Sequence, residues 1–128
     1  MALDTTVKSI WNMDEARLKS LNYYMLSCEA ALHNWDLKST HQFLQSIKLV
    51  VFPMFKDKER ETLDKELKEL EAIKRDVDNA ITEHKFKENS IKYHNKASDI
   101  YLQFGTLIVK HGLIFRKGED AQYAALRR

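Results

Sequence analysis

Apolar residues recur at alternating spacings of three and four along most of the chain, which is the pattern of one face of an α-helix. The first stripe predicts a helix over residues 13–34, and Asn12 and Glu15 occupy the positions of a capping box at its start. Before this helix, residues 4–11 are expected to form a short N-terminal arm that folds onto the bundle. The members of the stripe are Leu18, Leu21, Met25, Cys28, Leu32 and Trp35.

The second stripe predicts a helix over residues 36–51, capped by Asp36 or Ser39. Pro53 lacks an N–H group and disfavours helical backbone at the residue before it, so this helix is expected to end near Val51. Met54 and Phe55 are then expected to tuck under the turn. The stripe is formed by Leu37, Thr40, Leu44, Ile47, Val51 and Met54, and Phe43 and Val50 widen it.

The third helix is predicted over residues 57–86, where a narrow apolar seam runs through a highly charged sequence. Fourteen of the twenty residues from Lys56 to Arg75 are charged, so most of the helix surface is expected to face water. A seam this narrow could also serve a partner helix. The seam consists of Leu63, Leu67, Leu70, Ile73, Val77 and Ile81.

The fourth helix is predicted over residues 89–111, after a weak break at residues 86–89 where Asn89 or Ser90 could cap it. Gly112 suits the position just after a helix C-terminus. As an alternative, residues 106–109 and 113–115 could form a small hairpin. A short C-terminal helix is predicted over residues 119–126. The apolar face of the fourth helix includes Tyr93, Ala97, Ile100, Tyr101, Phe104, Leu107 and Ile108.

The distribution of helix breakers supports an all-α fold. Residues 1–104 contain no glycine and only one proline, Pro53, so tight hairpin turns are improbable there. We therefore predict a single helical domain over residues 1–128. It is an antiparallel four-helix bundle with a short N-terminal arm and a C-terminal tail.

Composition predicts a soluble cytoplasmic protein. The chain is 44% apolar and 31% charged, and its single cysteine, Cys28, suits a reducing compartment. Cys28 is expected to be a small buried residue. Residues 1–12 lack the apolar segment of a signal peptide, and the apolar stretches 49–55 and 107–115 are too short to span a bilayer.

The sequence predicts no enzyme, catalytic residue, metal site or cofactor. Helical di-iron proteins use Glu-x-x-His pairs, but no glutamate stands three residues before any of the five histidines. His84 and Glu88 have the i,i+4 spacing of a metal pair, although Lys85 and Lys87 would repel a cation. His84 is therefore expected to be an exposed residue at a helix end. No glycine-rich phosphate loop is possible before Gly105.

Charge is divided unevenly along the chain. Residues 1–84 carry 12 basic and 15 acidic side chains, whereas residues 85–128 carry 9 basic and 4 acidic ones. A nucleic-acid-binding protein that uses this basic third is the alternative hypothesis for function, with Tyr123 available to stack on a base. The candidate polyanion-binding residues are Lys85, Lys92, Lys96, Lys110, Arg116, Lys117, Arg127 and Arg128.

The preferred functional hypothesis is a non-catalytic interaction or assembly protein that acts through helix faces. Its partner is expected to be another protein or a second copy in a homodimer, with no membrane partner. The predicted first, second and third helices would be about 33, 24 and 45 Å long, so their ends do not match. The arm, the tail or a second subunit could cover the surplus. The candidate partner-binding residues, which fall outside the main stripes, are Trp11, Phe55, Phe115 and Tyr123.

Overall fold

The computed structural model describes residues 15–112, which form a bundle of four α-helices. No strand occurs within these residues, so the all-α prediction is confirmed. The helices are α1 (Glu15–His33), α2 (Leu37–Val51), α3 (Asp57–Asp78) and α4 (Glu83–Lys110), and a short 3-10 helix (Phe52–Met54) follows α2.

The helices alternate in direction, and α4 contacts each of the other three. His94 Nε2 donates to the Leu32 carbonyl at 3.0 Å, and the Tyr101 hydroxyl donates to the Met25 carbonyl at 3.1 Å. The later residue of α4 thus contacts the earlier residue of α1, so these two helices are antiparallel. The buried residues that α4 contributes to the core are Tyr93, Ala97, Ile100, Phe104 and Ile108.

The predicted stripes form the core. Cys28 is fully buried, as predicted, and the seam of α3 is buried from Leu63 to Val77 with Ile73 half-buried. Trp35 is the exception in the first stripe, because it lies beyond the end of α1 and is 49% exposed. The stripes therefore located the core correctly up to the helix ends.

The beginning and end of α2 follow the predicted chemistry. Asp36 is the N-cap, and its carboxylate accepts from the Ser39 backbone N–H at 3.1 Å. The helix ends at Val51, two residues before Pro53, and Phe55 is then buried at 3% exposure. The expected turn around Pro53 is confirmed.

The predicted boundary between the third and fourth helices is wrong. α3 ends at Asp78 and α4 begins at Glu83, so the break lies at residues 79–82 rather than 86–89. Thr82 is the N-cap, because its hydroxyl accepts from the Lys85 N–H at 3.1 Å and satisfies a donor that the helix leaves unpaired. Ile81 therefore lies in the turn at 96% exposure and is not part of the seam.

This boundary changes the helix lengths. At 1.5 Å per residue, α3 and α4 span about 33 and 42 Å, whereas α1 and α2 span about 28 and 22 Å. The longest helix is thus α4, not the third helix as predicted. Residues 106–110 continue α4, and Gly112 has the left-handed φ of 72° expected just after a helix end. The predicted arm, the C-terminal helix and residues 113–115 of the hairpin alternative lie outside the described residues.

Candidate interaction surface

One face of α4 points directly away from the core and carries no charged side chain between Ile91 and Val109. Three of its members are large apolar residues, and Ile91, Leu102 and Val109 are 51, 65 and 47% exposed. The face lies about half a helical turn from the buried residues of α4, since successive residues are separated by about 100°. We call it the α4 outer face, and it consists of Ile91, Asn95, Ser98, Leu102, Thr106 and Val109.

The absence of charge on this face contrasts with the rest of the helix. α4 contains five lysines and three acidic residues among its 28 residues, and all of these lie on its flanks or near its start. Single exposed apolar residues are normal on a soluble protein. Three such residues aligned on an uncharged face form a candidate interaction surface.

An apolar groove of about 450 Å³ runs beside this face, between α3 and α4. Leu63 is buried and Leu107 half-buried at its base, and Leu102 and Thr106 belong to both the groove and the α4 outer face. We call it the α3–α4 groove. Its lining comprises Lys58, Glu59, Thr62 and Leu63 from α3 and Asp99, Leu102, Gln103, Thr106 and Leu107 from α4.

Glu59 closes one end of the groove by joining α3 to the end of α4. Its carboxylate pairs with Lys110 Nζ at 3.0 Å and His111 Nε2 at 2.8 Å, and it accepts from the Lys56 backbone N–H at 2.8 Å. Burial raises the pKa of Glu59, but these three donors outweigh it and lower the pKa to about 2. The carboxylate is therefore anionic at neutral pH and fully engaged within the chain.

A second set of polar contacts crosses from α4 to α3 farther along. Lys96 Nζ lies 2.8 Å from carboxylate oxygens of both Glu66 and Glu69. Gln103 Nε2 donates across to the Glu66 carboxylate of α3 at 3.4 Å, and within α4 it donates to Asp99 at 2.8 Å. Some charged residues of α3 thus pair with α4 of the same chain, and others face water. These polar groups hold the walls of the groove in place and leave its base apolar.

The four candidate polyanion-binding lysines in the described part of the chain recur at helical spacing along one side of α4, and three of them pair with carboxylates. Lys96 and Lys110 are engaged by α3 carboxylates, and Lys85 pairs with Glu88 at 3.2 Å. Lys92 is exposed without an ion pair to any described residue. Lys85 and Lys110 are separated by about 38 Å along α4. The other four candidates, Arg116, Lys117, Arg127 and Arg128, lie outside the described residues.

One of the four candidate partner-binding residues, Phe55, lies in the core. Phe55 is buried, and its ring stacks on that of His111 with centroids 5.4 Å apart. A ring held in the core cannot anchor a partner, so that prediction for Phe55 is wrong. Trp11, Phe115 and Tyr123 lie outside the described residues.

Groups capable of nucleophilic or metal chemistry are dispersed. Burial, with the nearby charge of Glu29, raises the pKa of Cys28 to about 12, so the thiol is protonated and shielded. His84 is exposed, as predicted, but it lies at the start of α4. Within residues 15–112, no three histidine, cysteine or acidic side chains are grouped as metal ligands.

Sequence reasoning missed the α4 outer face, although a signal for it was present. Positions 91, 95, 98, 102, 106 and 109 recur at helical spacing without a charge. These positions do not form an apolar stripe, because only three of the six are large apolar residues, and their shared property is the lack of charge. Leu63 and Leu107, by contrast, were assigned to the core, and only the packing of α3 on α4 shows that a groove opens above them.

No protein-family model, curated protein or solved structure gives a significant match to this chain. Among the described helices, none is both long and apolar enough to traverse a membrane.

Proposed function

We propose that this protein is a non-catalytic interaction or assembly protein that self-associates through its helix faces. The observation that carries the proposal is the α4 outer face, on which Ile91, Leu102 and Val109 are aligned without an intervening charge. Its partner-binding residues are these three side chains, in place of the buried Phe55.

Burial of this face would be favourable because it removes apolar surface from water. Transfer of apolar surface contributes roughly 25 cal/mol per Å², and a fully exposed leucine or isoleucine gains about 1.5–3 kcal/mol when it is buried. Asn95, Ser98 and Thr106 are small or uncharged, so their desolvation costs less than that of a lysine or glutamate. The face therefore resembles the core of an interface more than a solvated helix surface.

The ion pairs between α3 and α4 also support this proposal. They satisfy Glu59, Glu66 and Glu69 within the chain, so these carboxylates need no external cation. The same contacts occupy Lys96 and Lys110, two residues of the nucleic-acid hypothesis. The surface that remains for a partner between α3 and α4 is mainly apolar.

Sedimentation velocity of the full chain over a range of concentrations tests this function. We expect a concentration-dependent doubling of mass that persists in high salt and is weakened by Leu102→Glu. The matched control is Leu49→Glu, because Leu49 is also a largely exposed leucine, at 77% against 65% for Leu102, but lies on α2. A protein that stays monomeric and instead binds RNA or DNA in a salt-dependent manner would contradict the proposal and favour the nucleic-acid hypothesis.

A further inference from the structure

We propose that the α3–α4 groove and the α4 outer face form a two-fold interface with a second copy of this chain, in which Lys58 of each copy pairs with the partner's Asp99. This inference rests on the self-association proposed above and specifies its surface and register. In such an interface each surface patch meets its own copy, so every contact occurs twice.

The groove has the size and chemistry to receive side chains from a second α4. An apolar cavity of about 150 Å³ holds a benzene ring, whereas the groove measures about 450 Å³. Leu63 and Leu107 provide an apolar base, and Leu102 projects from the rim at 65% exposure. A ridge carrying Leu102 lies beside a groove that can accept leucine, which is the self-complementarity that a two-fold interface requires.

Charge at the two ends of the groove supports a second copy as the occupant. Lys58 lies in the first turn of α3, and the Glu59–Lys110 pair places this turn level with the end of α4. Asp99 lies eleven residues before that end, which is about 16 Å along the helix. Neither Lys58 nor Asp99 forms an ion pair with any described residue, and the Asp99 carboxylate accepts a hydrogen bond from the neutral amide of Gln103 at 2.8 Å.

A two-fold axis through the middle of the groove exchanges its ends. Lys58 is then brought to the partner's Asp99, and Asp99 to the partner's Lys58. Exposed ion pairs contribute little affinity. They still select one alignment of two surfaces, because other alignments would place like charges next to each other. The two charges therefore favour antiparallel pairing of the helices.

The area required for a stable interface explains why the groove must take part. The α4 outer face is about 27 Å long and, at a helix diameter of about 10 Å, offers about 270 Å². A stable interface buries about 800 Å² on each partner. α4 alone is too small, and the exposed flank of α3 across the groove supplies the neighbouring surface.

Charge reversal and rescue test this interface in the full chain by sedimentation velocity. We expect Lys58→Glu and Asp99→Lys each to raise the dimer dissociation constant at least about fivefold, because each change makes two pairs repulsive. The double variant should return to within about twofold of the unchanged protein, since it restores both pairs with reversed polarity. Lys19→Glu, an exposed change on α1, is the control for net charge.

The outcomes separate this inference from the function on which it rests. If the unchanged protein is monomeric at every concentration, both are overturned. If it dimerises and Leu102→Glu, Lys58→Glu and Asp99→Lys all leave the dissociation constant unchanged, the groove is not the interface while self-association stands. If each single reversal weakens the dimer but the double variant does not recover, the Lys58–Asp99 register is overturned.

Discussion

The indole ring of Trp35 lies parallel to the imidazole of His94, with centroids 3.7 Å apart and 6° between the ring planes. This stack holds the turn that follows α1 against α4. The backbone N–H groups of Trp35 and Asp36 donate to the carbonyls of Leu32 and Ala31, which is the Schellman pattern of a helix end. Trp35 has a φ of 55° in a position where glycine is usual, so its stacking compensates for a strained backbone.

Two replacements of Trp35 should distinguish the stability gained from the ring stack from the stability lost to backbone strain. Trp35→Ala removes the stack and keeps a side chain at positive φ, so we expect a loss of about 1–2 kcal/mol in unfolding free energy. Trp35→Gly removes the stack but relieves the strain, and it should be about 1 kcal/mol more stable than the alanine variant. Urea denaturation measures both. An alanine variant as stable as the glycine variant would show that the left-handed backbone is not strained.

Stability should fall as the pH drops below about 6.5, the ordinary pKa of histidine. Burial lowers the pKa of His94, and burial with the nearby charge of Lys74 lowers that of His41, although Glu71 and Asp78 oppose this shift. The unfolded chain then binds more protons than the folded one, so acidification favours unfolding.

Urea denaturation at pH 7.5 and pH 5.5 measures this effect before most carboxylates titrate. His41 Nδ1 lies 2.9 Å from the Tyr93 hydroxyl, so His41→Gln can retain a hydrogen bond without a titratable ring. The double variant with His94→Gln should lose most of the pH dependence. His33→Gln is the control, because His33 is exposed at the end of α1. An unchanged pH dependence in the double variant would contradict the assignment.

Glu59→Gln should weaken the junction of α3 with the end of α4. The change removes the negative charge that binds Lys110 and His111, and we expect a loss of about 1–2 kcal/mol at pH 7. Because the pKa of Glu59 is lowered from 4.5 to about 2, its contribution is complete above pH 4.5 and is lost as the pH falls toward 2.

The difference between the unchanged protein and Glu59→Gln should therefore shrink across this range, as thermal unfolding monitored by circular dichroism would show. Glu61→Gln is a matched control on the same helix, because Glu61 is exposed and forms no ion pair with a described residue. A difference that stays constant from pH 7 to pH 3 would contradict the role of the carboxylate.

Removal of two hydroxyls in the first half of α4, those of Thr82 and Ser90, should have different effects on stability. Thr82→Ala loses the N-cap bond to Lys85 N and should cost about 1 kcal/mol, whereas Thr82→Ser should retain most of the stability. The Ser90 hydroxyl is buried without a hydrogen-bond partner among residues 15–112, so Ser90→Ala should be neutral or stabilising. Chemical denaturation of the three variants tests this order. A larger loss for Ser90→Ala would place the helix start nearer the position first predicted.

Local features of the sequence predicted most of the fold. The periodicity around Leu18–Leu32, the Asp36 cap and the Pro53 break each depend on residues close together in the chain, and all three are present in the structure. The α3–α4 boundary was missed because Thr82, Asn89 and Ser90 are all capable caps. Asn89 instead donates its side-chain amide to the Asp76 carbonyl at 3.2 Å, which links α4 to the end of α3.

Helix formation and the choice of buried positions follow from spacing and from the absence of glycine before residue 105, because the backbone responds to neighbours within one or two turns. The pairing of Lys96 with Glu66, the stacking of Phe55 on His111 and the groove beside Leu102 arise only when separate helices meet. No local pattern specifies these contacts, since each depends on where a helix thirty or more residues away lies. The chain thus encodes its four helices locally, whereas the surface that we propose for its partner is created by their packing.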